Sequence, residues 1–378
     1  MKLLVVATTT LLAAPLAAQS TSFRIADSLV ESGIRRGIYP GAVLVVGNRA
    51  GTMHARGFGH LTWARSSPLP NPDSTLWDLA SLTKVVATTP AVMRLVDQGR
   101  VDLKEPISHY LPRFIGGGKE QVTVRQLLDH TSGLPAYVEF FHLAPTRDSM
   151  ITLLYRTPLR RPPGTAVEYS DLNFLLLGLL VESLSSEPLD RFVIQEVLEP
   201  AGMLRSRYRP GDSLSRYTAP TGQWRGRPVC CQVNDQNAAR MGGAAGHAGL
   251  FSTGGDLARY ARLWLSEGTL DGQRVFQSAT GRAFVSPDSG AATRLLGWER
   301  PPDPKHRDDS AYGHLLSDHA FGHTGWTGTL IWIDPERDLF LVLLTNRSYA
   351  PRVSHSFRAL RAVRGAVADA VIREVEGH

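Results

Sequence analysis

The stretch LWDLASLTKVVATTPAVMRLVDQG, residues 76–99, places Ser81 and Lys84 three residues apart where a helix begins, with apolar residues following at helical spacing. At i and i+3 the two side chains share one helical face, and a residue at a helix start has unpaired backbone N–H groups beside it. The lysine is unusual in its own chain. Of 41 basic residues among 378, only Lys2, Lys84, Lys104, Lys119 and Lys305 are lysines, and arginine supplies the rest. A serine hydroxyl is a poor nucleophile until a neighbouring base takes its proton, which a neutral amine can do and a guanidinium cannot. An S-x-x-K pair arises by chance about once in a chain of this size, so alone it reads first as a capping serine and a solvated lysine.

Outward from this stretch, residues 23–36 carry the pattern of a short amphipathic helix, and GAVLVVGNRAGTMHARGFGHL, residues 41–61, reads as a strand hairpin with Asn and Gly at its turn. GTLIWIDPERDLFLVLLTN, residues 328–346, reads as a second hairpin turned at Asp334–Pro335, and residues 355–375 as a closing amphipathic helix. Between about residues 81 and 253 the signals are mostly helical, broken by loops such as RTPLRRPPGT. The expected class is α/β (α+β): an antiparallel sheet built from residues 19–80 and 254–378, flanked by terminal helices, with a helical subdomain of residues 81–253 inserted between. A cleft between the two parts is the natural site.

MKLLVVATTTLLAAPLAA, residues 1–18, has one early charge, an apolar run and small residues at its end, the pattern of a secretory leader cut near Ala18. A secreted or periplasmic protein starting at Gln19 is expected, with no stable membrane anchor. FLLLGLLV, residues 174–181, covers only about two helical turns and reads as a buried core helix. The net charge of +6 is scattered among acids without a basic run interleaved with aromatics, which excludes nucleic acid as a partner. Cys230 and Cys231 are adjacent, closer than an ordinary structural disulfide allows, and read as two idle thiols. His130 and His247 read as structural. Without ligand-type spacing around cysteine or histidine, no metal and no cofactor are expected.

Further along, LLDHTSGLP, residues 127–135, is a scaffold-like segment, VEYSDLNFLLLG contains Tyr169 in a Y-x-N-like element, GHAGLFSTGGDLARYARLWL, residues 246–265, is a second scaffold-like segment, and FGHTGWTGT carries His323, Thr324 and Gly325. In this order and spacing the chain resembles the serine β-lactamase and penicillin-binding-protein superfamily, in particular its class C-like branch, over essentially the whole mature length. The resemblance implies a β-lactamase/transpeptidase-like fold. It also implies Ser81 as acylated nucleophile, with Lys84 and Tyr169 sharing the proton traffic and the backbone N–H groups of Ser81 and Trp326 forming an oxyanion hole. Asp171, Asn173, His323, Thr324, Gly325 and Trp326 are the implied substrate-binding residues. Small-molecule or peptide substrates follow, including peptidoglycan fragments or β-lactams.

Two departures from the family pattern matter. Asp171 stands where asparagine is usual; beside Lys84 it favours the ammonium and moves the base role towards Tyr169. His323 replaces the lysine usual in β-lactamases, a variant more typical of peptidases and esterases. An unperturbed histidine titrates near pH ~6.5, so His323 is expected to offer a substrate carboxylate a charge only in acid. The α/β-hydrolase class is set aside because no serine here lies within G-x-S-x-G. The reading is a secreted serine hydrolase acting on ester or amide bonds. Its rivals are a β-lactamase or β-lactam-acylated protein, and a catalytically idle protein that binds cell-wall fragments.

Overall fold

The computed structural model describes residues 22–287, 293–307 and 310–377, so the leader assigned to residues 1–18 lies outside the described residues. Two hairpins supply the main sheet. Strands β1 (Gly41–Gly47) and β2 (Thr52–Gly59) turn at Asn48, whose side-chain oxygen accepts from the backbone N–H groups of Ala50 and Gly51 at 3.0 and 3.2 Å. Near the other end lie β3 (Phe321–Thr324), β4 (Leu330–Asp334) and β5 (Leu339–Thr345). All neighbours are antiparallel in the order β3–β4–β5–β1–β2, and the two chain ends meet where Val43 faces Leu344 and Leu44 faces Leu343.

Strand β1 is buried along its whole length. The period of two explains this: Ala42, Leu44 and Val46 enter one core, Val43 and Val45 another, because both faces of the sheet are covered. The outer face receives the N-terminal helix Arg24–Arg35 through Ala26 and Val30, and the C-terminal helix Ser356–Glu376 through Leu360, Val363, Val367 and Val371. The inner face packs on the helix Gly254–Leu265 and on the inserted region. Each aliphatic side chain so enclosed contributes about 1.5–3 kcal/mol.

The helix that follows Ser81 is π-helical over Lys84–Thr88 and continues as Thr89–Asp97; such π turns occur often at functional sites. Asp171–Ser185 is a helix in which every residue from Leu172 to Val181 is buried, as expected of a core helix. Among the described residues no single helix is long and apolar enough to cross a membrane. The inserted region also holds short strands: Leu250–Ser252 pairs with Trp77–Asp78 on one side and Arg207–Tyr208 on the other. Strands of two or three residues are too short to leave an alternation in the sequence. They matter because Trp77–Asp78 fixes the chain just ahead of Ser81.

Candidate active site

Ser81 follows a strained turn. Ala80 has φ +47°, a left-handed conformation that costs a side-chain-bearing residue ~1–2 kcal/mol. Asp78 holds it in place: its carboxylate accepts from the Ala80 N–H at 2.8 Å and from the Asn234 N–H at 2.6 Å. Burial outweighs these bonds and pushes the Asp78 carboxyl up to about 6. The loop after β3 is docked on the same turn, with Thr327 Oγ1 donating to the Asp78 carbonyl at 2.6 Å and Thr329 Oγ1 to the Leu79 carbonyl at 2.9 Å. Gly325 is required here, because a Cβ would meet the Leu79 oxygen at 2.4 Å. Trp326, next in the loop, is exposed and stacks on Phe357. Among the described residues, neither the Ser81 nor the Trp326 backbone N–H has a hydrogen-bond partner. Both remain free for a substrate oxygen.

Lys84 is completely buried, and its Nζ lies 3.0 Å from Ser81 Oγ, 2.7 Å from Asp171 Oδ1 and 3.3 Å from the His247 carbonyl. Burial alone disfavours the ammonium, but attraction to Asp171 and Tyr169 outweighs it and raises the lysine pKa. Tyr169 precedes the helix Asp171–Ser185, capped by Ser170. Lys84 Nζ lies 5.0 Å from the centre of its ring; burial dominates and raises the phenol pKa, against the opposing effect of the Lys84 charge. Asp171 opens that helix, where its charge also suits the N-terminal dipole. The structure therefore brings Ser81, Lys84, Tyr169 and Asp171 together, and places Thr324 and Gly325 at the end of β3 beside them.

Two expectations need correction. Asn173 was expected to bind substrate, but it is wholly buried, with its amide on Ser132 Oγ at 2.6 Å and His130 Nδ1 at 3.2 Å. Two residues beyond Asp171 means about 200° around the helix, so Asn173 points into the core when Asp171 points at Lys84. His323 was expected to titrate near neutrality and face the cleft. It lies on the same strand face as buried Phe321, is 1% exposed, and its Nδ1–H donates to the Thr324 carbonyl at 2.7 Å. Burial drives its pKa down to about 4, with the Glu299 carboxylate opposing and Arg294 and Lys84 assisting, so above pH 5 it is neutral.

Other participants were not visible in the sequence. The Arg294 guanidinium lies 4.8 Å from the centre of the Tyr169 ring and is paired at 2.8 Å with Glu299, which also accepts from the Tyr312 hydroxyl. Burial opposes ionisation of Glu299, but Arg294, His323 and Tyr312 hold its carboxyl at about 2. Asp235 pairs with His247 Nε2 at 2.8 Å, and the His247 backbone carbonyl braces Lys84 at 3.3 Å, a structural role beside the site. Asp171, Asp235 and His247 each present a ligand atom within 4.8 Å of the others, a spacing able to hold a metal ion, with the Lys84 ammonium already against Asp171. No short-range pattern links residues this far apart in sequence. The scarcity of lysine was the one usable signal for this cluster.

A buried amine against a serine hydroxyl, with a protonated phenol and two free backbone donors alongside, is the equipment of acyl transfer. The profile of the family described as Beta-lactamase matches residues 26–364. An N-acetylmuramyl-L-alanine amidase of Bacillus subtilis (strain 168) is 33% identical over 362 residues, covering 87% of this chain and 81% of the relative. A protein of Escherichia coli (strain K12) bearing the provisional name D-alanyl-D-alanine carboxypeptidase is 32% identical over 313 residues, 75% of this chain and 72% of its own. In fold, a class C β-lactamase mutant superposes with TM-score 0.74 at 19% identity, covering 94% of this chain and 99% of the other. A family VIII carboxylesterase gives 0.70 at 21%, covering 93% and 97%. The match along nearly the whole described chain, together with the site geometry, places this protein in the β-lactamase family of serine hydrolases.

Proposed function

We propose that this chain is an exported hydrolase in which Ser81 attacks the carbonyl of an ester or amide bond, forms an acyl-enzyme and releases the acyl group to water. One observation carries the reading: the three contacts of Lys84 Nζ. A neutral amine has two N–H groups and one lone pair. The Asp171 carboxylate and the His247 carbonyl can only accept, so once the ammonium that donates to all three partners has lost a proton they take the two remaining N–H groups and leave the lone pair facing the Ser81 hydroxyl. Lys84 then accepts the serine proton as the Ser81 oxygen bonds to the substrate carbonyl carbon. The resulting oxyanion receives the Ser81 and Trp326 N–H groups. Tyr169, kept protonated by burial, donates to the leaving oxygen or nitrogen as its bond to carbon breaks, and recovers a proton from Lys84. Water repeats the path to free Ser81.

In this reading Lys84 is the base and Tyr169 the acid, the reverse of the tendency inferred from Asp171 alone. Asp171 has a regulatory cost, because it favours the ammonium and activity waits on loss of one proton. Removing that anion lowers the Lys84 pKa, so in Asp171→Asn the rise of kcat/KM with pH should begin lower by about one unit or more. A pH–rate profile that stays in place would show that Asp171 does not govern the base.

The substrate class follows from charge. Two cations of the site are neutralised within the protein, Lys84 by Asp171 and Arg294 by Glu299, and His323 is neutral above pH 5. Such a site favours a scissile carbonyl with no free carboxylate beside it, as in a neutral ester or an internal amide. The relatives named as an amidase and a carboxylesterase agree with this. The provisional carboxypeptidase name favours a second reading, in which carboxylate-bearing D-peptides or β-lactams acylate Ser81. A D-Ala-D-Ala peptide, its C-terminal amide and a short-chain aryl ester should be compared between pH ~5.5 and ~8. We expect the capped peptide to be cleaved at least as well as the free acid, with a ratio independent of pH. A loss of about tenfold on capping would establish carboxylate recognition and the second reading.

Export rests on the leader at residues 1–18. Protein recovered from the periplasm of a Gram-negative host should begin at or near Gln19. An intact Met1 on membrane-bound material would make the segment an anchor.

A further inference from the structure

Cys230 and Cys231 follow the hairpin formed by Gly222–Trp224 and Arg227–Val229 and take no part in the chemistry above. In an extended chain, neighbouring side chains point to opposite faces, which would keep two adjacent sulfur atoms apart. Here the chain turns. Cys231 has φ +62°, left-handed backbone that a side-chain-bearing residue adopts at a cost, and the turn brings the two sulfur atoms into contact. Strain of this kind persists where the surroundings impose it, and it marks candidate functional positions. Cys230 is half-buried and also lines a surface hollow with Trp224, Arg225, Arg227, Pro228 and Gln232, whereas Cys231 is buried.

We propose that Cys230 and Cys231 form a modification site that closes to a vicinal disulfide by exchange with a low-molecular-weight disulfide such as oxidised glutathione. The thiolate of one cysteine attacks a sulfur of the oxidant, breaking its S–S bond and releasing one thiol. The second cysteine, losing its proton, attacks the mixed disulfide, forms the Cys230–Cys231 bond and releases the second thiol. The pair gives up two electrons and two protons, and the oxidant takes both. Burial, reinforced by the second thiol, pushes the Cys230 thiol up to about 12, so the exchange is slow at neutral pH. Adjacency alone argued against a bridge in the sequence; the left-handed turn at Cys231 brings one within reach.

The position gives the modification a consequence. Three and four residues on, the Asn234 N–H donates to Asp78 at 2.6 Å and the Asp235 carboxylate meets His247 at 2.8 Å. These contacts brace the turn before Ser81 and the carbonyl that receives Lys84. A closed ring at 230–231 stiffens the start of that brace.

The test uses the folded full chain, equilibrated with oxidised and reduced glutathione at mildly alkaline pH, quenched in acid and alkylated with iodoacetamide. The expected product is about 2 Da lighter than the reduced protein, resists alkylation, and carries the loss on the peptide holding Cys230 and Cys231. Amide hydrogen exchange at Asn234 and Asp235 should slow in that product, and oxidant should leave it unchanged in a Cys230→Ser/Cys231→Ser variant. Two alkylated cysteines, or a glutathione adduct that persists on either, would overturn the proposal. A closed bridge with unaltered exchange would overturn its structural consequence.

Discussion

Ser81→Ala should lower kcat/KM for an aryl ester by roughly 10^4- to 10^6-fold while leaving the protein folded. The first expectation follows from chemistry, since alanine offers no oxygen to acylate and neither Tyr169 nor Lys84 is held in an attacking position. The second follows from packing. Ser81 Oγ contributes one side-chain hydrogen bond, to Lys84, and the turn that carries it is fixed by Asp78, Asn234, Thr327 and Thr329. The melting temperature is therefore expected to stay within a few degrees of wild type, as usual for loss of one partly exposed contact. Residual turnover above about one per cent, after excluding contaminating hydrolase, would mean that another group can attack.

Lys84→Arg should be nearly as damaging as Lys84→Met, each lowering acylation by about 10^2- to 10^4-fold, the range expected when a positioned base is lost. Arginine keeps the charge opposite Asp171 but cannot give up a proton in a protein. It is also larger than the fully buried space that Lys84 fills, and overpacking of this kind costs about 1–3 kcal/mol. Lys84→Met separates the two effects, because it fits the space and removes the charge. Arginine retaining most of the activity would reduce Lys84 to an electrostatic partner and give the base role to Tyr169. Equal losses in both variants, with each folded at the assay temperature, support a lysine that must lose a proton.

The sheet and its terminal helices were legible because their signals are local. The short apolar run of residues 41–47, Asn48 at one turn and Asp334–Pro335 at the other each act within a few residues, and the structure places both hairpins there. Ser81 and Lys84 were legible for the same reason, being one helical turn apart. The pairing of β1 with β5 joins residues some three hundred positions apart, and only the buried faces of both strands hinted at it. The rest of the site was hidden by sequence distance. Arg294 and Glu299 belong to a segment with no recognisable spacing, and Asp235 and His247 gain meaning only beside Lys84. Asn173 was misread because a two-residue step along a helix reverses direction, which no motif records. His323 was misread because its motif suggests a cleft, whereas strand alternation and the cover of Phe321, Glu299 and Arg294 bury it.

The central claim is an acyl-enzyme on Ser81, and one measurement tests it directly. Wild-type protein is mixed with a slowly released acylating agent, an activated aryl ester or a β-lactam, quenched in acid, digested and analysed by mass spectrometry. A single adduct with the mass of the acyl group is expected on the peptide containing Ser81 and Lys84, absent from Ser81→Ala and sharply reduced in Lys84→Met. An adduct on any other residue, or turnover of the ester with no adduct trapped at any quench time, would contradict the account.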